Sequence, residues 1–289
     1  MLIKYQRRYN NRVKKFRLSL LLLLAAACVS ARAEDGTLLA PAYRIEVERR
    51  LEVSQPDQAR YAQLLETALA SAGVPFIKSQ YILVLDRNPN VQAIFLYWLD
   101  AQASTDHLRY IGASPASTGK PGRGSFITPL GVFAHTLENK DFRAEGTLNK
   151  FGIRGFGRKG MRVFDFGWVQ AERGWGRRGN SPMRLLMHAT DPDYLEQHLG
   201  TQWSKGCIRI PATLNTFIDR HGLLDEDYEV AMANGKKLWM IRSDRLPTPS
   251  NSPRVASSFS ISRLRSWLSR RIASINVRKM IDMPAPITL

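Results

Sequence analysis

The chain has 289 residues, 44% of them hydrophobic and 23% charged, with a formal net charge of +17. That length supports one or two domains with a sizeable core, and the composition excludes wholesale disorder. The positive charge sits at the two ends, +8 in residues 1–33 and +7 in residues 242–289, against +2 in the body between them. A nucleic-acid-binding domain carries its basic residues on the folded body, so nucleic acid is not expected as a partner.

Lys4, Arg7, Arg8, Arg12, Lys14, Lys15 and Arg17 form a basic leader, 18–29 is a short apolar stretch, and Ala31-Arg32-Ala33 is a small-residue cleavage site. This order reads as a secretory signal peptide over residues 1–33, and the apolar stretch is shorter than the ~20 residues a membrane span needs. An uncleaved anchor and lipidation of Cys28 are the weaker readings. Cleavage after Ala33 removes Cys28 and leaves Cys207 as the one thiol, carried into an oxidising periplasm or cell envelope. Such a thiol is reactive, intermolecularly paired or buried and inert; its neighbours must decide.

Residues 34–77 read as an N-terminal helical segment. Tyr61, Leu64, Leu65, Ala68, Leu69 and Ala72 recur at helical spacing over 57–72, between Pro56 and the Gly73–Pro75 stop. From residue 78 the pattern changes to short apolar runs broken by turns. Strands are expected at 81–85, 93–99, 108–111, 131–135, 162–166, 184–188 and 237–241. This describes a mainly β domain with short helices over 78–243. Gly152, Gly155, Gly157 and Gly160 lack the Lys-Thr pair of a phosphate loop and read as a loop near the site. Residues 244–289 form a Ser/Pro-rich linker and a basic tail with an apolar stripe (Ile261, Leu264, Trp267, Leu268, Ile272, Ile275), suited either to an anionic membrane surface or to its own domain.

The chemistry concentrates in residues 184–211. His188 ends an apolar strand, Cys207 follows a Ser204-Lys205-Gly206 turn, and Arg209 lies two places on. A thiol attacks as thiolate, and imidazole is its usual base. Gly206 lets the backbone approach a substrate, placing the Cys207 amide beside an oxyanion. The fork of Arg209 suits a carboxylate. His107 and His221 read as loop-borne, His198 as facing outward from a short helix, and His135 as lying on another strand. No Cys/His cluster has metal-ligand spacing, so neither metal nor cofactor is expected.

These residues resemble the YkuD-type L,D-transpeptidase catalytic domain of bacterial cell-wall enzymes. The family's signature is a His, a spacer, then Ser/Thr-His-Gly-Cys, an apolar residue and Arg or Asn; here it reads His188, a spacer, Ser204-Lys205-Gly206-Cys207-Ile208-Arg209. Residues 114–133 resemble a second family segment through Thr118, Gly119, Lys120, Thr128, Pro129 and Gly131. The resemblance covers roughly 79–243 and departs at Lys205, where the family has a second histidine, and at Ala189, which often is glycine. It implies an L,D-transpeptidase-like β-sandwich acting on peptidoglycan stem peptides, without a cofactor. Cys207 is then the nucleophile and His188 its base and acid. The Ala189 carbonyl orients His188, and the backbone of Gly206 and Cys207 forms the oxyanion hole. Arg209, Lys205 and Ser204 line the substrate side, with Lys205 expected to share a face with Cys207 and favour its thiolate. A hydrolase of the same fold and an inactive peptidoglycan-binding module are the alternatives. A papain-like or amidase cysteine peptidase is disfavoured, because those families place Cys before His.

Overall fold

A computed structural model describes residues 39–177 and 179–245. The expected signal peptide and basic tail lie outside the described residues. In chain order the elements are α1 (Leu39–Glu46), α2 (Gln55–Ser71), β1 (Gln80–Asp86), β2 (Ala93–Leu99), β3 (Leu108–Pro115), β4 (Phe142–Arg143), β5 (Arg162–Glu172), β6 (Asn180–Ala189), β7 (Ile208–Ile210), α3 (Ala212–Arg220) and α4 (Glu226–Ala233). The fold is mainly β with short helices.

Strands β1-β2-β3 form one antiparallel sheet. Strands β4-β5-β6-β7 form a second, antiparallel except for the parallel β6–β7 pair. The inner faces meet in one core, where Ile94, Leu96, Trp98 and Ile111 of the first sheet pack with Phe164, Leu185, Met187, Ile208 and Ile210 of the second. The outer face of the first sheet is covered by α2, through Tyr61, Leu65 and Leu69 against Ala93, Phe95, Tyr97 and Ala113. Strand β2 is therefore buried on both sides, which explains its unbroken apolar sequence. Helix α2 is capped by Ser54, whose hydroxyl accepts from the Asp57 amide. It is anchored by a Tyr61–Phe95 stack with centroids 3.9 Å apart.

Helix α1, unmarked in the sequence, belongs to the main core. Its Tyr43 lies where a side chain at Gly112 would otherwise sit, and its hydroxyl bonds Ser114 Oγ at 2.6 Å. Two expected strands do not form. Segment 131–135 is irregular: Phe133 is half-buried against the core, and His135 bonds the Leu224 carbonyl at 2.7 Å and Asp141 at 2.8 Å. His135 is thus not strand-borne. Segment 237–241 ends in a turn closed from Ile241 N–H to the Leu238 carbonyl, with Met240 buried and Trp239 70% exposed. Its apolar residues meet no partner strand.

One end of the second sheet holds a buried charge network. Arg162, fully buried, donates to Asp141 at 2.6 Å and to Asp225 at 2.8 Å, and its Nη2 makes a further ion contact with Asp225 Oδ1 at 2.6 Å that lacks hydrogen-bond alignment. Burial works against the Arg162 charge, but Asp225, Asp141 and Asp219 hold its pKa above the ordinary value. Arg143 pairs with Asp219 and Arg245 with Asp225. The network ties α3 and α4 to β4 and β5.

Candidate active site

Around the site the outer face of the second sheet is closed by the 142–161 segment rather than by a helix, and strand register decides which side chains it presents. Paired residues point to the same side of a sheet, and alternate residues of a strand share a face. Val163 pairs with His188 and His188 with Arg209. One row along, Asp165 pairs with Leu186, and Cys207 stands beside Leu186 because Ile208 pairs with Met187. His188, Arg209, Cys207 and Asp165 therefore project from one face, opposite the core residues Met187, Ile208 and Ile210. Leu186, Val163, Phe142, Met161 and Cys207 pack together there. His188 and Cys207 are diagonal neighbours on adjacent strands, about 8 Å apart at Cα.

His188 is nearly fully buried, and its Nδ1 lies 2.7 Å from the Ala189 carbonyl. A carbonyl only accepts, so Nδ1 carries the proton and Nε2 presents a lone pair. This is the contact expected of Ala189. The edge of Phe156 meets the His188 ring at 4.8 Å between centroids, bringing the glycine-rich loop to the site. That loop is tethered by Arg154 N–H to Asp191 at 2.7 Å, and by Arg154 and Arg158 to Asp193, each at 2.7 Å.

The turn carrying Cys207 is braced by the segment around Thr118. Thr118 O accepts from Ser204 N at 3.0 Å, Lys120 N donates to Ser204 O at 3.0 Å, and Phe126 N to Lys205 O at 3.0 Å. Thr128 Oγ1 accepts from Gly119 N at 2.8 Å and donates to Gly206 O at 2.7 Å. The two sequence segments that carry the resemblance are thus one structural unit. Gly206 has a φ of +133°, which favours glycine, and a Cβ there would displace the end of Met183 and press on Phe126 Cβ at 3.1 Å.

Three expected roles change. Gly206 N–H donates to Ser204 Oγ at 3.0 Å, so it is already committed and the Cys207 amide is the backbone donor beside the thiol. Ser204 is buried and its hydroxyl also donates to Cys207 O at 2.6 Å, so it shapes the turn and does not face a substrate. Lys205 is exposed, and the positive φ of Gly206 breaks the alternation that would put it on the face of Cys207. The charges acting on the thiol are Arg209, which favours thiolate, and Asp165, which opposes it.

Burial, aided by Asp165, pushes the Cys207 thiol above its ordinary value; a hydrogen bond with the Leu186 backbone and the charge of Arg209 work the other way. Burial and Arg209 push His188 down to about 4, against the Ala189 hydrogen bond. At neutral pH the resting pair is therefore neutral thiol and neutral imidazole. Arg209 is itself partly buried and donates to Trp203 O at 3.1 Å. Trp203 lies at the surface, stacked with His198 at 4.9 Å and with Lys120 Nζ 4.2 Å from its ring centroid; Tyr194 is exposed. His107 and His221 bond Asp100 O and Glu46.

Asp165 and Phe156 carry no signal in the sequence. Register puts the first on the face, and a tethered loop brings the second. Among the described residues no cluster of three or more His, Cys, Asp or Glu is placed to hold a metal, and no helix is long and apolar enough to cross a membrane. The chain matches no protein-family model and no curated protein.

Proposed function

We propose that the protein is a cysteine-dependent acyltransferase of the L,D-transpeptidase type, acting on peptidoglycan stem peptides in the periplasm or cell envelope. The observation that carries this reading is the placement of Cys207, His188 and Arg209 on one sheet face, with His188 Nδ1 fixed on Ala189 O. The thiol gives its proton to His188 Nε2 as sulfur attacks the carbonyl between the third residue and the terminal D-alanine. The Cys207 amide steadies the oxyanion. The imidazolium returns the proton to the leaving amine, D-alanine departs and a thioester remains. A second stem's amine then takes the acyl group, giving a 3-3 cross-link; water in its place gives a tripeptide. Because the resting pair is neutral, thiolate forms as substrate is attacked and is not stored beforehand. Arg209 supplies the cation for a substrate carboxylate.

Purified disaccharide-tetrapeptide, incubated with the protein and with Cys207→Ala and read by mass spectrometry, tests this. A dimer lacking one D-alanine, absent with Cys207→Ala, is the expected result. Tripeptide without dimer points to the hydrolase, and no product from folded protein sinks the acyltransferase reading in favour of a binding module.

A further inference from the structure

The outer face of the second sheet continues beyond Cys207, and a β-bulge determines what it presents. Before the bulge Val163 and Asp165 face outward, and Phe164 enters the core. The register then shifts between Asp165 and Trp168, and past it Val169 and Ala171 pack on the core. The odd-numbered residues have exchanged faces, so Trp168 stands outward, paired with Arg184. Without the extra residue Trp168 would point into the core. It is 71% exposed, an unusual state for the largest apolar side chain in a sheet. Arg184 Nε donates to the fully buried Asp165 at 2.7 Å, which fixes the guanidinium. Arg184 remains 47% exposed, with Nη1 outside this pair, so it keeps donors for a ligand.

Strand spacing and rise put the Arg184 Cα about 8 Å from that of Cys207, and the Trp168 Cα, one strand further across the face, about 12 Å from it. A stem peptide attacked after its third residue spans roughly 10–11 Å from the scissile carbonyl back to its link with the sugar. The lengths agree. We propose that Trp168 is a carbohydrate platform, stacking on the amino-sugar ring that bears the stem peptide, and that Arg184 donates to the peptide between sugar and nucleophile. An indole face offers a flat apolar surface to the C–H face of a pyranose, and the guanidinium matches the carbonyl and carboxylate oxygens of the stem. The inference rests on the acyltransferase reading for its ligand and on strand register for its geometry.

Equilibrium binding to the full chain carrying Cys207→Ala, which cannot turn over, provides the test. The probes are disaccharide-tetrapeptide and the same tetrapeptide without sugar. The sugar-bearing ligand is expected to bind about tenfold tighter, with Trp168→Ala removing that advantage and Trp168→Phe keeping part of it. Trp239→Ala, at another exposed tryptophan, leaves the advantage in place. Equal affinities in the parent, no binding of either ligand, or an advantage that survives Trp168→Ala overturns the subsite. A sugar advantage through Trp168 without any Cys207-dependent product keeps the subsite and removes the acyltransferase. Product without a sugar advantage does the reverse.

Discussion

At the scale of single residues, the thiol and the imidazole are displaced in opposite directions by the same burial. Iodoacetamide labelling of Cys207 should accelerate with pH along a limb lying above that of a free cysteine, and Arg209→Gln should move that limb higher still, because Arg209 favours the thiolate. Identical limbs for both proteins would show that Arg209 does not act on the sulfur. His188 gives a stability signature. Its folded pKa of about 4 lies below the unfolded value near 6.5, so the unfolded chain binds the proton first as pH falls. The stabilisation of neutral His188 is complete above about pH 6.5 and is lost on the way to about pH 4, at most ~3 kcal/mol. Urea unfolding at pH 7 and pH 4 should therefore show a smaller loss for His188→Asn than for the unsubstituted protein.

At the scale of elements, the Cys207 turn depends on a partner far away in sequence. Gly206→Ala forces a Cβ against Met183 and strains a φ of +133°, so it should lower Tm by several degrees and slow Cys207 labelling more than tenfold. Thr128→Val removes the acceptor of Gly119 N and the donor to Gly206 O, and should cost about 1–3 kcal/mol in urea unfolding. The same dependence explains what was legible in the sequence. Strand β2 and helix α2 announce themselves, one by an unbroken apolar run and the other by helical spacing between a Pro start and a Gly-Pro stop. His188, Cys207 and Arg209 were legible as residue types in sequence order. Strand β7 was not: three residues carry no period, and it exists because β6 and Ser117 flank it. Asp165 and Trp168 were invisible because a bulge exchanges the faces of β5, and the parity of a strand cannot be read through an inserted residue. Segment 131–135 misled for the opposite reason, since Val132 and Phe133 pack half-buried against the sheets without joining a ladder.

At the scale of the whole molecule, two sheets share a core and a buried network ties α3 and α4 to one end of it. Arg162 faces three carboxylates, Asp141, Asp219 and Asp225, in a region closed to water. Arg162→Leu leaves them without that compensation and should cost about 3–5 kcal/mol, measured by urea unfolding. Arg60→Ala, which breaks a partly exposed pair with Asp57, should cost less than about 1 kcal/mol. The bracing of the Cys207 turn has a consequence in time as well. Thr128 and Gly206 are separated by 78 positions, so the bond between them is a long-range contact that exists only when a large loop of chain is closed. Until that loop closes the sulfur is one more thiol on a moving polymer, without His188 and Arg209 held on its face of the sheet. The surroundings of Cys207 are thus a product of tertiary closure and not of its own stretch of sequence, and a chain that has not closed this loop carries only an ordinary thiol.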